Sequence, residues 1–299
     1  MGRWQANGLM LLAAVIWGSA FVGQVQGMEG VGPLAFTGLR FLLGAAVVAP
    51  LAWLEWRRLS AGGRPPGVRE WRHVGLLGAL LTAGVVMQQI GLTATTVTHA
   101  GFLTALYVPL VPLIAWLVHR ESPDWTVWPA ALGCLAGTWL LAGGGSLATM
   151  EIGSGDAWVI ASSLPWAFHV LWVGRVANRM QGAYLLACTQ FLVCGVAASV
   201  LGLALEPLSW DGIRIAGGAI AYTGILSVGV AYTLQVIGQR HAPPADAAIL
   251  LSSETLFAAL FGAWLMGDRL GPAGLAGCAT ILASILLVQL HPLLTAARR

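Results

Sequence analysis

Lysine is absent from this 299-residue chain, and charge of either sign is scarce: 9% of residues are charged and 58% are hydrophobic. A water-soluble domain of ordinary composition carries about 25% charged residues. This chain could not clothe a water-facing surface, and its mean hydropathy of +0.79 agrees. Without lysine there can be no phosphate-binding loop of the GxxxxGK[ST] type, and so no ATP-driven pumping through one. HExxH, GxSxG and an aspartate pair within the apolar runs are also missing, which argues against an intramembrane enzyme. The four cysteines, Cys134, Cys188, Cys194 and Cys278, have neither the spacing of a zinc site nor that of a loop disulfide. They read as small packing residues, and no metal or cofactor is expected.

What the chain does have is long apolar runs without the strict alternation of barrel strands, so helices are the expected spanning element. A span needs roughly 20 apolar residues. Runs of that kind lie near 8–24, 34–54, 73–92, 98–118, 126–143, 156–174, 182–204, 213–237, 246–266 and 271–290. The fold class expected is therefore an all-α integral membrane protein with ten transmembrane helices and short loops. The first run follows Arg3 and imitates a signal sequence, but nine more runs follow it with no exported domain.

All 15 basic residues are arginines. With the N-terminus inside, twelve lie on the cytoplasmic side, Arg214 and Arg269 lie outside, and Arg40 falls within a span. The positive-inside bias then places both termini in the cytoplasm. This loop asymmetry accounts for most of the net charge of +3, so no nucleic-acid partner is implied. Trp53, Trp56, Trp71, Trp125, Trp128 and Trp210 sit near span ends, as interfacial anchors do.

The chain also repeats itself. MQQIGLTATTVTHAGFL (Met87–Leu103) is similar to LQVIGQRHAPPADAAIL (Leu234–Leu250), pairing Gln88 with Gln235, Gly91 with Gly238 and Ala100 with Ala247 at an offset of 147. Ala20–Phe21 returns as Ala167–Phe168, and Glu121 as Asp268, at that same offset. ALGC (Ala131–Cys134) matches LAGC (Leu275–Cys278) after a shift of three, and LRF (Leu39–Phe41) resembles TQF (Thr189–Phe191). A near-constant offset across several spans means duplication, with units at 1–148 and 149–299 forming one transport domain. Five spans per unit is odd, so the second unit enters the membrane from the opposite side. Inverted repeats of this kind recur in secondary transporters, whose substrate sits near mid-membrane between them.

The ten spans and five-plus-five duplication resemble the EamA-type members of the drug/metabolite transporter superfamily. IWGSAF (Ile16–Phe21), LRFLLGA (Leu39–Ala45), WLVHRE (Trp116–Glu121) and its echo WLMGDR (Trp264–Arg269) add to the likeness. Within that family the chain is similar to the YddG-type exporters of aromatic and neutral amino acids. The resemblance implies alternating access in a bacterial inner membrane, with a small-molecule substrate. Family members often carry a proline soon after the glutamate of LLSSETLF (Leu250–Phe257); here Thr255 follows, so a helix break in the ninth span lacks its usual cause.

Candidate site residues follow from depth and symmetry. Glu254 falls near the middle of the ninth span, and its partner at offset 147 is Tyr107 in the fourth. A charged group facing lipid costs several kcal/mol, so Glu254 is expected to face an internal cavity. There it would meet a substrate ammonium, couple protons, or serve as a structural carboxyl bonded to its hydroxyl neighbours. Trp17 and Trp166, mid-span in the first and sixth helices, are either walls for a flat or cationic substrate or packing residues. His169, one turn from Pro165, would donate to a carboxylate or bond a neighbouring helix. Gln88 and Gln235 are amides for a zwitterion or for interhelical hydrogen bonds.

Arg40 either snorkels to the interface or anchors a substrate carboxylate or Glu254. His99 and Asp246, repeat partners at helix starts, are gate candidates, with an N-cap role the plain alternative for Asp246. Pro109, Pro112 and Pro165 should bend helices around a cavity. Gly133 and Gly137, with Ala273 and Gly277, suit close packing in a scaffold between the halves; a monomer is expected. Export of drugs or quaternary cations is the alternative function, and a lipid-modifying enzyme the remote one.

Overall fold

The computed structural model describes residues 1–120, 122–141, 152–265 and 271–296; for 98, 99, 262, 263, 265 and 292–296 it describes the backbone alone. The expected unit boundary at 148/149 and the pair Glu121 and Asp268 lie outside the described residues. Every described element is helical: α1 (Arg3–Gly27), α2 (Pro33–Ala61), α3 (Val68–Gly91), α4 (Val97–Thr104), α5 (Tyr107–His119), α6 (Val127–Leu141), α7 (Ser154–Met180), α8 (Ala183–Leu205) and α9 (Trp210–Tyr222) come first. A π-helical stretch (Thr223–Tyr232) leads into α10 (Thr233–Gln239), followed by α11 (Pro244–Leu251), α12 (Glu254–Leu265) and α13 (Pro272–Ala296). Nine segments among the described residues are long and apolar enough to cross a membrane, and the 15-residue α6 is a shorter apolar helix at the fifth position. Several helices outrun the apolar runs that announced them. α2 continues to Ala61 and α7 to Met180, because a helix has no reason to stop where hydrocarbon gives way to headgroups.

The packing repeats with a two-fold logic. α2 packs along α8, and α6 along α13, so these helices meet their own repeat partners. α3 on α7 is mirrored by α1 on α9, the π-helical stretch and α10. Glycine permits the closest of these approaches. A Cβ at Gly137 would lie 2.7 Å from the Gly277 carbonyl oxygen, and one at Gly277 only 2.4 Å from that of Gly137, so the small-residue pairs form the α6–α13 crossing. Asn7 on α1 donates to Gln289 on α13, which puts both chain ends on one face.

Two carboxylates fasten the α2–α8 pair at opposite ends. Glu206, just past α8, accepts from the Leu34 and Ala35 amides at 2.9 and 2.8 Å. Glu55 on α2 accepts from the Ala183 and Leu185 amides at 3.1 and 2.8 Å. Each caps the other helix's N-terminus, where free N–H groups and the helix dipole favour an anion. The local N-cap residues are Gly32 and Gly182, which have no side chain to offer. A Cβ at Gly32 would sit 2.4 Å from a Glu206 oxygen, so glycine makes room for the distant cap. Glu55→Ala and Glu206→Ala are each expected to cost about 1–2 kcal/mol. Both losses should appear as a lower Tm in detergent and should add in the double variant, since the sites share no partner.

Candidate functional site

The fourth and ninth spans are both broken, and the breaks coincide under the repeat. α4 ends at Thr104 and α5 starts at Tyr107; α11 ends at Leu251 and α12 starts at Glu254, each 147 later. The backbone bonds across the gap correspond as well. Ala105 N to Gly101 O, Leu106 N to Leu103 O and Val108 N to Ala105 O recur as Ser252 N to Ala248 O, Ser253 N to Leu250 O and Thr255 N to Ser252 O. The doubted break in the ninth span is therefore present. Hydroxyls accompany it where the proline is missing: Ser252, Ser253 and Thr255 donate to the Ile249, Leu250 and Ser252 carbonyls at 2.8, 2.6 and 2.9 Å. Side chains that bond the local backbone compete with the helical ladder in this way. Ser252, Ser253 and Thr255 are thus spent on backbone carbonyls. Among the described residues no hydrogen bond or ion pair engages the Glu254 carboxylate.

Tyr107 and Glu254 line one chamber together with Trp17, Arg40, Gln88, Trp166, Gln235 and Tyr232. α1 reaches it by crossing α12 at Gly18, where a Cβ would stand 2.7 Å from the Ala258 nitrogen and 2.8 Å from the Glu254 carbonyl oxygen. This crossing is the physical content of IWGSAF. The indoles do not face each other directly. Tyr232, which the sequence reading overlooked, lies between them, its ring centroid 4.6 Å from Trp17 and 6.2 Å from Trp166, stacked on the latter at 9°. Tyr232 closes the π-helical stretch, a local widening of the helix that recurs at functional sites.

Arg40 does not snorkel to the interface. Its side chain is buried, with the guanidinium 5.4 and 5.3 Å from the Phe36 and Phe41 ring centres, and Nη2 donates to Gln89 Oε1 at 3.2 Å. No ion pair joins it to Glu254 among the described residues. Gln88 donates to Thr104 at 2.8 Å, Trp17 Nε1 to the Ser227 carbonyl at 3.2 Å, and Tyr107 to the Ala248 carbonyl at 3.4 Å. Three buried polar atoms of the lining have no partner among the described residues: Arg40 Nε, Trp166 Nε1 and Gln235 Oε1. They belong to residues that line a space where a polar ligand or water could satisfy them. The cavity itself is about 40 Å³, room for a few waters. Admission of a larger solute requires the halves to part.

The other candidates lie elsewhere. His169 is fully buried behind Trp166, its Nε2 2.9 Å from Gln190 Oε1, and is not part of the lining; it bonds a neighbouring helix. Asp246 does not cap its helix. Pro243 holds the N-cap, and Asp246, in the first turn, pairs with Arg3 at 2.8 Å. His99 occupies the matching turn of α4, but its side chain lies outside the described residues.

The sequence matches the profile of the EamA-like transporter family twice, over residues 4–143 and 153–290. It is 28% identical over 310 aligned positions to the uncharacterized inner membrane transporter YedA of Escherichia coli K12, covering 97% of this chain and 92% of YedA. It is 25% identical to the uncharacterized transporter YwfM of Bacillus subtilis, covering 95% of this chain and 93% of YwfM. A crystal structure of 19% identity superposes on 97% of this chain and 98% of its own with a TM-score of 0.78, which shows the shared fold.

Proposed function

Since the chain belongs to the EamA-like transporter family and is a multi-pass membrane transporter rather than an enzyme, we propose that it exports aromatic and neutral amino acids from a bacterial cytoplasm across the inner membrane. The carrying observation is the chamber's composition. A carboxylate (Glu254), a guanidinium (Arg40) and a three-ring aromatic wall (Trp17, Tyr232, Trp166) line one space. The carboxylate suits an ammonium, the guanidinium a carboxylate, and the rings a flat side chain. The arginine bias of the loops supports cytoplasmic termini. The protein would act as a monomer. The two repeats would rock about the chamber to expose it to each face in turn.

Glu254 with the aromatic wall also suits a quaternary cation, which Arg40 would repel. Uptake into proteoliposomes of labelled L-phenylalanine and of a tetraalkylammonium, each with and without a pH gradient, separates these readings. Saturable phenylalanine uptake is the expected result. Acceleration by the gradient would make Glu254 a proton carrier as well; indifference to it would mean uniport. Cation uptake without phenylalanine uptake would replace the proposal. Tyr232→Ala, which removes the middle of the wall, is expected to lower apparent phenylalanine affinity about tenfold, the worth of one aromatic contact and its buried area.

A further inference from the structure

We propose that the Arg3–Asp246 ion pair is a latch on the face carrying both chain ends, and that a zwitterionic substrate opens it by exchanging ions with it in the adjoining vestibule. This rests on the amino-acid reading above. The pair ties α1 of the first repeat to α11 of the second, with Arg3 Nη2 2.8 Å from Asp246 Oδ2. It borders a cavity of about 330 Å³, walled also by the α5–α6 connection and by Val288 of α13. This vestibule is much larger than the chamber of about 40 Å³, and it has no assigned role. α11 connects the two: it carries Asp246 in its first turn and ends at Leu251, and Glu254 follows past the break. At 1.5 Å per residue, Asp246 and Glu254 are about 12 Å apart along the span. Whatever moves Asp246 therefore moves the half-helix that ends at the chamber.

The chemistry of the latch matches its proposed key. The side chains of Arg3 and Asp246 are 36% and 11% exposed; water reaches the guanidinium while the carboxylate is largely covered, so the pair is screened on one side and weaker than a fully buried one. A solute with an ammonium and a carboxylate on one carbon offers each partner a substitute counter-ion, whereas a singly charged solute leaves one partner bare. The vestibule's other carboxylate is already engaged. Asp124 accepts from the Thr126 amide at 2.9 Å and its hydroxyl at 2.7 Å, which holds its carboxyl below the ordinary range.

On the opposite face the corresponding helices also meet, through a different contact. There Thr95, before α4, donates its hydroxyl to Asp156 at the start of α7.

The test places a reporter cysteine at Leu251, which lines the chamber, and measures its labelling by a membrane-impermeant maleimide presented from the chain-end face. L-Phenylalanine is expected to raise the labelling rate about fivefold or more, the worth of an ion pair screened on one side. Phenethylamine and 3-phenylpropionate, each with one pole, should leave it nearly unchanged. Arg3→Ala and Asp246→Asn should raise labelling without any solute, and the exchanged pair Arg3→Asp with Asp246→Arg should restore slow labelling. Slow labelling in both single variants, eluting as folded protein in gel filtration, overturns the latch. Opening by the variants but no response to phenylalanine, in protein that transports it, overturns the exchange. Failure of the unmodified protein to transport phenylalanine in liposomes overturns the amino-acid reading and the exchange with it, while the solute-free labelling still decides the latch.

Discussion

Glu254→Gln is expected to weaken phenylalanine transport about thirtyfold or more while leaving the protein at least as stable. The two effects have opposite signs for one reason. A half-buried carboxylate with no partner among the described residues is still costly to keep charged within a span, so its neutral isostere relieves the fold. Among the described residues the same carboxylate is the only acidic side chain lining the chamber. Removing it strips a desolvated ammonium of its counter-ion, and truncating one partner of such a pair costs about 2–5 kcal/mol in binding. A structural glutamate would give the other pattern, with lost stability and altered transport together. Uptake rates and Tm measured on the same preparation separate them, and wild-type uptake in the variant would refute the placement of the carboxylate.

Gly18→Val is expected to be the most damaging single change outside the lining. The α1–α12 crossing leaves no space there, since a Cβ would already be 2.7 Å from backbone and Cβ atoms of α12. Backbone cannot step aside as a flexible side chain can, so the helices must separate at the level of Glu254. Overpacking of this kind costs about 1–3 kcal/mol or more, and here it also moves Trp17 and Glu254 apart. Transport should fall to background, with a Tm reduced by several degrees. Gly8→Ala is the control on the same helix. Nothing lies within 4 Å of a Cβ at Gly8, so that change should be neutral or slightly stabilising.

Much of this architecture was legible because duplication writes itself as a constant offset. That offset paired Tyr107 with Glu254 before any coordinates, and both open the second half of a broken span. The ninth-span break was harder to read, because a helix can be interrupted in two ways. Proline removes a donor and is visible at a glance; three hydroxyls that bond nearby carbonyls look like ordinary polar residues until their rotamers are seen. Tyr232 was missed for a related reason. Its partner at offset 147 would be Val85, and the π-helical widening changes the phase of the eighth span where repeat arithmetic assumes a regular helix. Glu55 and Glu206 left no local signal, since each caps a helix more than a hundred residues away. Arg40 was visible as an oddity, but only the packing of Phe36 and Phe41 around it shows that it stays inside.

Two antiparallel halves bring matching half-helix ends to one depth around a central chamber. Nitroxide labels at Thr104→Cys and Leu251→Cys, the last residues before the two breaks, test it through their collision rates with oxygen and with a water-soluble nickel chelate in bilayers. The expected result is equal depth to within about one helical turn, with low oxygen exposure at both sites. Depths that differ by half the bilayer, or high oxygen exposure at either label, would contradict it.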